Sequence, residues 1–314
     1  MLGMLTRRVA ASVVTALLAS VVVFLLVRAV PGDVVQQMLG QTSDPAAEQA
    51  LRLFFGMDRP VHTQYFEWLG GAVRGDLGTA WVSGRDVLDL VGGALFVTLE
   101  LTFLTLILAT VVGVPLGLVA GIREGKVIDS VVQSFSVIGL STPIFWFGLL
   151  LLIGVSAVLG WSPPLSYESP VQGLGANLQV MVLPVLSLAL LQAAAYAQFV
   201  RQAVISAVGE QYVVTARAKG MPERVVLFKH ILRNILVQLI TFGGLLLIQI
   251  LGGAVVIESI FGLPGLGRLL LTSISARDYP VVQGGLLVVV LMSLLVNLVI
   301  DVLYRVIDPR LKVG

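Results

Sequence analysis

Cysteine is absent from the chain, and histidine occurs twice, at His62 and His230. Without cysteine there is no disulfide framework, thiol nucleophile, iron–sulfur ligation or cysteine zinc site. Two histidines leave little for a metal centre or a Ser–His hydrolase, and the topology read below puts them on opposite sides of a membrane. Charge is scarce too. Only 12% of the residues are Asp, Glu, Lys or Arg, where a soluble domain carries roughly a quarter. The net charge of +2 is too small to argue for nucleic acid, so placement of the charges matters more than their sum. A nucleotide site is missing as well. The nearest P-loop lookalike, Gly121-Ile-Arg-Glu-Gly125-Lys126-Val127, has its first glycine one residue too close. Val127 also stands where a Ser or Thr would hold magnesium.

What fills the chain is apolar sequence: 57% of 314 residues are hydrophobic and the mean hydropathy is +0.98. This is the composition of an integral membrane protein. A spanning helix takes about 20 mostly apolar residues. Six runs qualify, at 9–27, 95–122, 131–159, 180–200, 235–257 and 281–300. The second and third are longer than a bilayer needs, which implies tilt or extension beyond it. The first follows Thr6-Arg7-Arg8 and superficially resembles a secretion signal. Its apolar run exceeds the usual signal core of about 7–15 residues, and no small-residue cleavage site follows, so it reads as a span.

Positive charge fixes the expected orientation. Thirteen of the twenty Lys/Arg residues fall on one side: Arg7 and Arg8, Arg123 and Lys126, six between Arg201 and Arg233, and Arg305, Arg310 and Lys312. The opposite short loops hold only Arg268 and Arg277. Both termini are therefore expected in the cytoplasm. Residues 31–94 form a long segment after the first span, with short helices expected near 46–54 and 63–73 and packing expected on the outer face. This divides the chain into 1–30, a first span with its tail; 31–94, an extracytoplasmic loop region; and 95–314, a five-helix core that includes a cytoplasmic loop at 201–234.

Within the spans, Gly113, Gly117 and Gly121 repeat at the spacing that lets helix backbones approach closely; Gly243-Gly244 and Gly252-Gly253 add two more small-residue pairs. They serve either packing within the chain or a seam with another subunit. Glu100, Gln192, Gln198, Gln249 and Asn297 are among the polar side chains in apolar runs. Such groups face protein or a water-filled path. The amides Gln192, Gln198, Gln249 and Asn297 are candidate path residues or helix bridges, and Glu100 is close enough to its helix end to reach the interface. Glycine and proline crowd the stretch 258–267. Glu258, Phe261, Pro264 and Gly265 make it a candidate outer gate, with an ordinary turn as the alternative.

The densest charge is at 212–234, YVVTARAKGMPERVVLFKHILRN. Residues 210–219 favour a short helix that stacks Tyr212, Ala216 and Gly220. Gly220 suits its C-terminal cap, Pro222 the start of a second helix and Glu223 that helix's positive end. The small Ala216 and Gly220 would offer a flat face on which a partner closes. A lipid-headgroup-facing loop stands as the alternative, because basic residues favour the anionic inner leaflet.

Thr215-Ala216-Arg217-Ala218-Lys219-Gly220, followed after nine residues by His230-Ile-Leu-Arg-Asn234, resembles the cytoplasmic "EAA" loop of binding-protein-dependent ABC importer permeases, in particular the dipeptide/oligopeptide/nickel branch. Pro31-Gly32-Asp33, Gly56-Met57-Asp58-Arg59-Pro60, Gln64-Tyr65, Trp68-Leu69 and Arg74-Gly75-Asp76-Leu77-Gly78 resemble the first permease subunit of that branch. So do Pro264-Gly265-Leu266-Gly267, Arg277-Asp278-Tyr279-Pro280 and Asp308-Pro309-Arg310. One departure is plain: Val214-Thr215-Ala216 stands where the generic loop has Glu-Ala-Ala. The resemblance implies an all-α, six-span subunit of the type I ABC importer permease fold in a prokaryotic inner membrane. It implies a second, homologous permease, two cytoplasmic ATPases and an extracytoplasmic substrate-binding protein as partners. It also implies that this chain is no enzyme and holds no cofactor, ATP and magnesium belonging to the ATPases. Tyr212, Thr215, Ala216, Arg217, Ala218, Lys219, Gly220 and His230 become the expected coupling residues, and peptides the expected cargo, with nickel or another small solute as alternative. A self-contained secondary transporter would need mid-membrane ion ligands and inverted repeats, and neither is evident.

Overall fold

The computed structural model describes residues 2–29, 34–39 and 44–307. Pro31, Gly32, Asp33, Asp308, Pro309, Arg310 and Lys312 lie outside the described residues. The described chain is helical, with one isolated bridge between Thr79 and Asp86 and no longer strand. Helices α1 (Leu2–Ala29), α2 (Val34–Leu39), α3 (Pro45–Phe54) and α4 (Val61–Val73) are followed by α5 (Val87–Ile122), α6 (Val127–Ser141), α7 (Ile144–Leu159) and α8 (Leu174–Val208). Then come α9 (Gln211–Ala218), α10 (Glu223–Val225), a π-helical segment (Val226–Leu232), α11 (Arg233–Phe261), α12 (Leu266–Ser275) and α13 (Tyr279–Ile307).

Among the described residues, five helices are long and apolar enough to cross a membrane, and the pair α6 and α7 supplies a sixth crossing if counted together. The run at 131–159 is therefore not the single straight span its length suggested: it bends by 105° between α6 and α7. Pro143 causes the break. It has no N–H to donate back into α6, and it pushes the preceding Thr142 out of the helical region, to φ −90°, ψ 123°. The other helices overrun their expected spans, at both ends except for α5, which extends only at its start, because polar residues beyond the apolar window keep the helical bonding. The short helices after the first span begin within two residues of where composition put them.

The chain folds as two compact units, one of residues 1–97 with 264–298, the other of 98–263 with 299–314. In the first, α1 meets α4 through aromatic edges. The Phe24 and Tyr65 rings lie 5.2 Å apart, edge to face, with Trp68 at 5.9 Å from Phe24. Leu77, Val87, Val91, Leu266, Leu270 and Val281 build an apolar cluster beside them. Asp278 secures the loop before α5. Its buried carboxylate accepts from the backbone N–H groups of Trp81 and Val82, each at 3.0 Å.

The second unit is organised on α8, which is buried along most of its length. Gly113, Gly117 and Gly121 of α5 face α8. A Cβ on Gly117 would lie 2.5 Å from the Ala197 carbonyl oxygen and 2.6 Å from Val200 Cβ. The glycine repeat thus serves packing within the chain. Gly139 of α6 sits similarly against Ala194. Asp129, near the start of α6, and Arg201, on α8, form a buried bidentate ion pair, with Arg201 Nη2 2.9 Å from Asp129 Oδ2. The same Asp129 oxygen accepts from the Gly125 N–H at 2.9 Å. Arg201 is thus a core residue, not one of the loop charges with which it was counted. Removing either partner alone would strand a buried charge, at about 3–5 kcal/mol.

Candidate docking element

The basic insertion folds as helix, turn and helix. Its first helix, α9, places Val213 and Ala216 against Val204, Ala207, Val226, Ile231 and Ile235 of the same unit. Tyr212 packs partly on that cluster. Ala216 is 3% exposed, so its small side chain seats α9 on its own chain and cannot also be the surface on which a partner closes. The expected flat face of Ala216 and Gly220 is corrected on this point. The outward side carries Val214, Thr215, Arg217, Ala218 and Lys219.

Gly220 ends α9 as anticipated. Its φ is +74°, and the Gly220 N–H donates to the Arg217 carbonyl at 2.9 Å while the Met221 N–H reaches back to Ala216 at 3.3 Å. That is the paired bonding of a Schellman cap, and Met221 adds its apolar contact on the cluster that holds Ala216. The left-handed turn moves Gly220 off the α9 face. Across it, Arg217 grips Glu223 of α10 with two bonds, Nε to Oε1 at 2.9 Å and Nη2 to Oε2 at 3.2 Å. Both side chains are open to solvent, so the pair contributes at most about 1 kcal/mol. Lys219, Arg224, Lys229 and Arg233 are left as exposed cations.

Pro222 precedes α10 as its N-terminal cap, at the start of the second helix. From there the helix runs unbroken into α11 through the π segment, which widens the ladder by one residue per turn; π segments of this kind often occur at functional sites. His230 lies in that segment. Its carbonyl accepts from Asn234 Nδ2 at 2.7 Å, and its ring Nε2 is buried with no hydrogen-bond partner.

The remaining expected site residues are scattered. Gln192 is buried on α8, whereas Gln198, Gln249 and Asn297 are exposed on this chain. Glu258 and Phe261 belong to the last turn of α11 and are buried; Thr98 Oγ1 donates to Glu258 Oε1 at 2.5 Å. Non-helical backbone is confined to residues 262–265, with Gly262 at φ +71° closing α11 and Gly265 preceding α12. Glu100 accepts from the Tyr167 hydroxyl, in the loop before α8, at 2.5 Å. Burial, and then this carboxylate, push the Tyr167 phenol above its ordinary range. Two buried polar features escaped the sequence reading: the Asp129–Arg201 pair and the Asp278 clamp. The one available signal was an isolated acid at the start of an apolar run.

The chain matches the family "Binding-protein-dependent transport system inner membrane component" over residues 113–313, and that family's N-terminal region over residues 1–102. It is 36% identical over 312 residues to the "Glutathione transport system permease protein GsiC" of Escherichia coli strain K12, covering 99% of both chains. The protein of the same name from Salmonella choleraesuis strain SC-B67 is similar to the same extent. Among solved structures, a chain of an amino acid ABC transporter matches with a TM-score of 0.54 and 22% identity, over 69% of this chain and 94% of that one. A chain of the methionine transporter MetNI in an inward-facing conformation matches with a TM-score of 0.53 and 19% identity, over 70% and 96%. These likenesses bear on the fold, and the end-to-end identity bears on the family: the chain is a permease subunit and belongs to the binding-protein-dependent transport system inner membrane component family.

Proposed function

We propose that this permease forms half of the translocation path of an ATP-driven importer for di- and oligopeptides handed over by an extracytoplasmic binding protein. The observation that carries the cargo reading is the 36% identity, over 99% of both chains, to a permease named for glutathione, itself a short peptide. A homologous second permease completes the path, and two ATPases hold the ATP and magnesium. Both termini and α9 face the cytoplasm, in keeping with the twelve Lys/Arg residues that, the buried Arg201 set aside, collect on that side. There α9 is the coupling helix. Thr215, Arg217, Ala218 and Lys219 meet the ATPase, Gly220 and the Arg217–Glu223 pair hold the turn, and Tyr212, Ala216 and His230 root the element in the unit that contains α8. A cleft closing in the ATPase moves α9, and the continuous α10–α11 rod carries that motion into the membrane. On the outer side Glu258, Phe261, Pro264 and Gly265 form the gate, and Gln192, Gln198, Gln249 and Asn297 line the path.

Calorimetry of the cognate binding protein tests the cargo. Di- and tripeptides are expected to bind, and nickel chelates are not. Binding of a metal chelate with no peptide response would overturn the peptide reading and leave the importer architecture standing.

A further inference from the structure

The unit that contains α1 and α4 carries an open cavity of about 270 Å³ that the transport reading does not use. Its wall includes Arg28 of α1, Trp68 of α4 and Gln283 of α13. Each has unspent donor capacity. The Arg28 guanidinium stacks over the Phe24 ring at 3.6 Å and donates to Gln64 Oε1 at 2.7 Å and to the Phe24 carbonyl at 3.3 Å. Five N–H groups are available on a guanidinium, so most remain unused, and no carboxylate pairs with Arg28 among the described residues. The Trp68 indole nitrogen and the Gln283 amide nitrogen are buried, and neither has an acceptor. Gln283 itself is only 4% exposed. Three side chains with unused donors therefore border one space, where unmet donors are expected to be rare.

The acids on the same wall do not answer this need. Glu67 accepts from Arg59 at 2.8 and 2.9 Å, and Asp76 Oδ1 from the Gly78 N–H at 2.8 Å. Their charge does disfavour a doubly charged guest. The volume falls just under the usual range for small-molecule sites.

We propose that this cavity binds the carboxylate of a small, singly charged ligand. Arg28 meets the two oxygens side-on, the geometry in which a guanidinium recognises a carboxylate. Small rotations of Trp68 and Gln283 bring the indole and amide N–H groups onto the remaining lone pairs. Phe55, Trp81 and Pro280 on the same wall give the ligand's hydrocarbon an apolar bed.

The test uses the full chain in nanodiscs of zwitterionic phospholipid, with nitrogen-15 labelling of its four tryptophans. The Trp68 indole signal is assigned with Trp68→Phe. Acetate is expected to shift it saturably, with a Kd of about a millimolar for so small a ligand. The neutral isostere methyl acetate is expected to leave it unmoved. Arg28→Gln should abolish the response, and Gln283→Leu, which keeps Arg28 in place, should weaken acetate about tenfold. No saturable shift with acetate would mean the cavity holds water only, an equal shift with methyl acetate would mean the carboxylate charge is not recognised, and unchanged affinity in Gln283→Leu would remove the convergent donors; each would overturn the proposal. Tighter binding of inorganic phosphate than of acetate would overturn the carboxylate assignment in favour of a phosphate ligand.

Discussion

Gly220 lies at φ +74° with open space where a Cβ would point. Any effect of substitution there is borne by the backbone and not by a clash. A β-branched side chain should destabilise the cap by about 1–2 kcal/mol, the cost of the left-handed region for an L-residue. Gly220→Val is therefore expected to uncouple ATP hydrolysis from uptake in proteoliposomes, while Gly220→Asn, which tolerates this conformation, retains coupling. Uptake unchanged in the valine variant would count against α9 as the coupling helix. Tyr167 makes a prediction in pH. Its phenol is raised, so its bond to Glu100 contributes fully below the ordinary phenol value of about 10 and is lost as pH rises through the folded value. The stability difference between the native chain and Tyr167→Phe should be constant at neutral pH and vanish in strong alkali. A difference that persisted there would show that Tyr167 stabilises by packing and not through its proton. Gly220 was legible in the sequence because glycine after a short helix has one common use. Tyr167 and Glu100, 67 positions apart, could be paired only by the fold.

Among the elements, α5 and α8 depend on missing side chains. Gly117→Ala puts a Cβ within 2.6 Å of both the Ala197 carbonyl oxygen and Val200 Cβ, so the helices must separate. Overpacking of this kind costs about 1–3 kcal/mol. A lowered melting temperature in detergent is expected for Gly117→Ala. Gly154→Ala in α7 is the control, because nothing lies within 4 Å of the added methyl; an equal loss in both variants would refute the close-packing account. Spacing announced the Gly113, Gly117 and Gly121 face, but not its partner, since small residues serve a subunit seam equally well. The bend between α6 and α7 was less legible. Pro143 was visible, yet a proline inside a long apolar run is compatible with a kink or a full break, and only the folded backbone shows the break. The same blindness hid Ala216. Helical spacing put it on a face with Gly220, and only the fold of α9 onto Val204 and Ile235 turned that face inward.

For the whole molecule, the permease reading predicts an assembly. Purification from membranes should recover this chain with a second permease and two ATPases, and ATP hydrolysis should reside in the latter. A stable, transport-competent preparation with no ATPase would sink the reading. Hydrophobic runs, charge asymmetry and ordered motifs determined by themselves that this is an all-α multi-pass permease, because the bilayer dictates helix length and the cost of charge in lipid dictates where charges lie. Tertiary structure alone decided which of those residues look inward. It buried Arg201 on Asp129, tied the backbone after Thr79 to Asp278 and left three donors around one cavity. Such pairings join residues dozens to nearly two hundred positions apart, and no local pattern encodes them. Cysteine is absent and histidine and charge are scarce, and the few polar groups that remain draw their meaning from the neighbours that folding supplies.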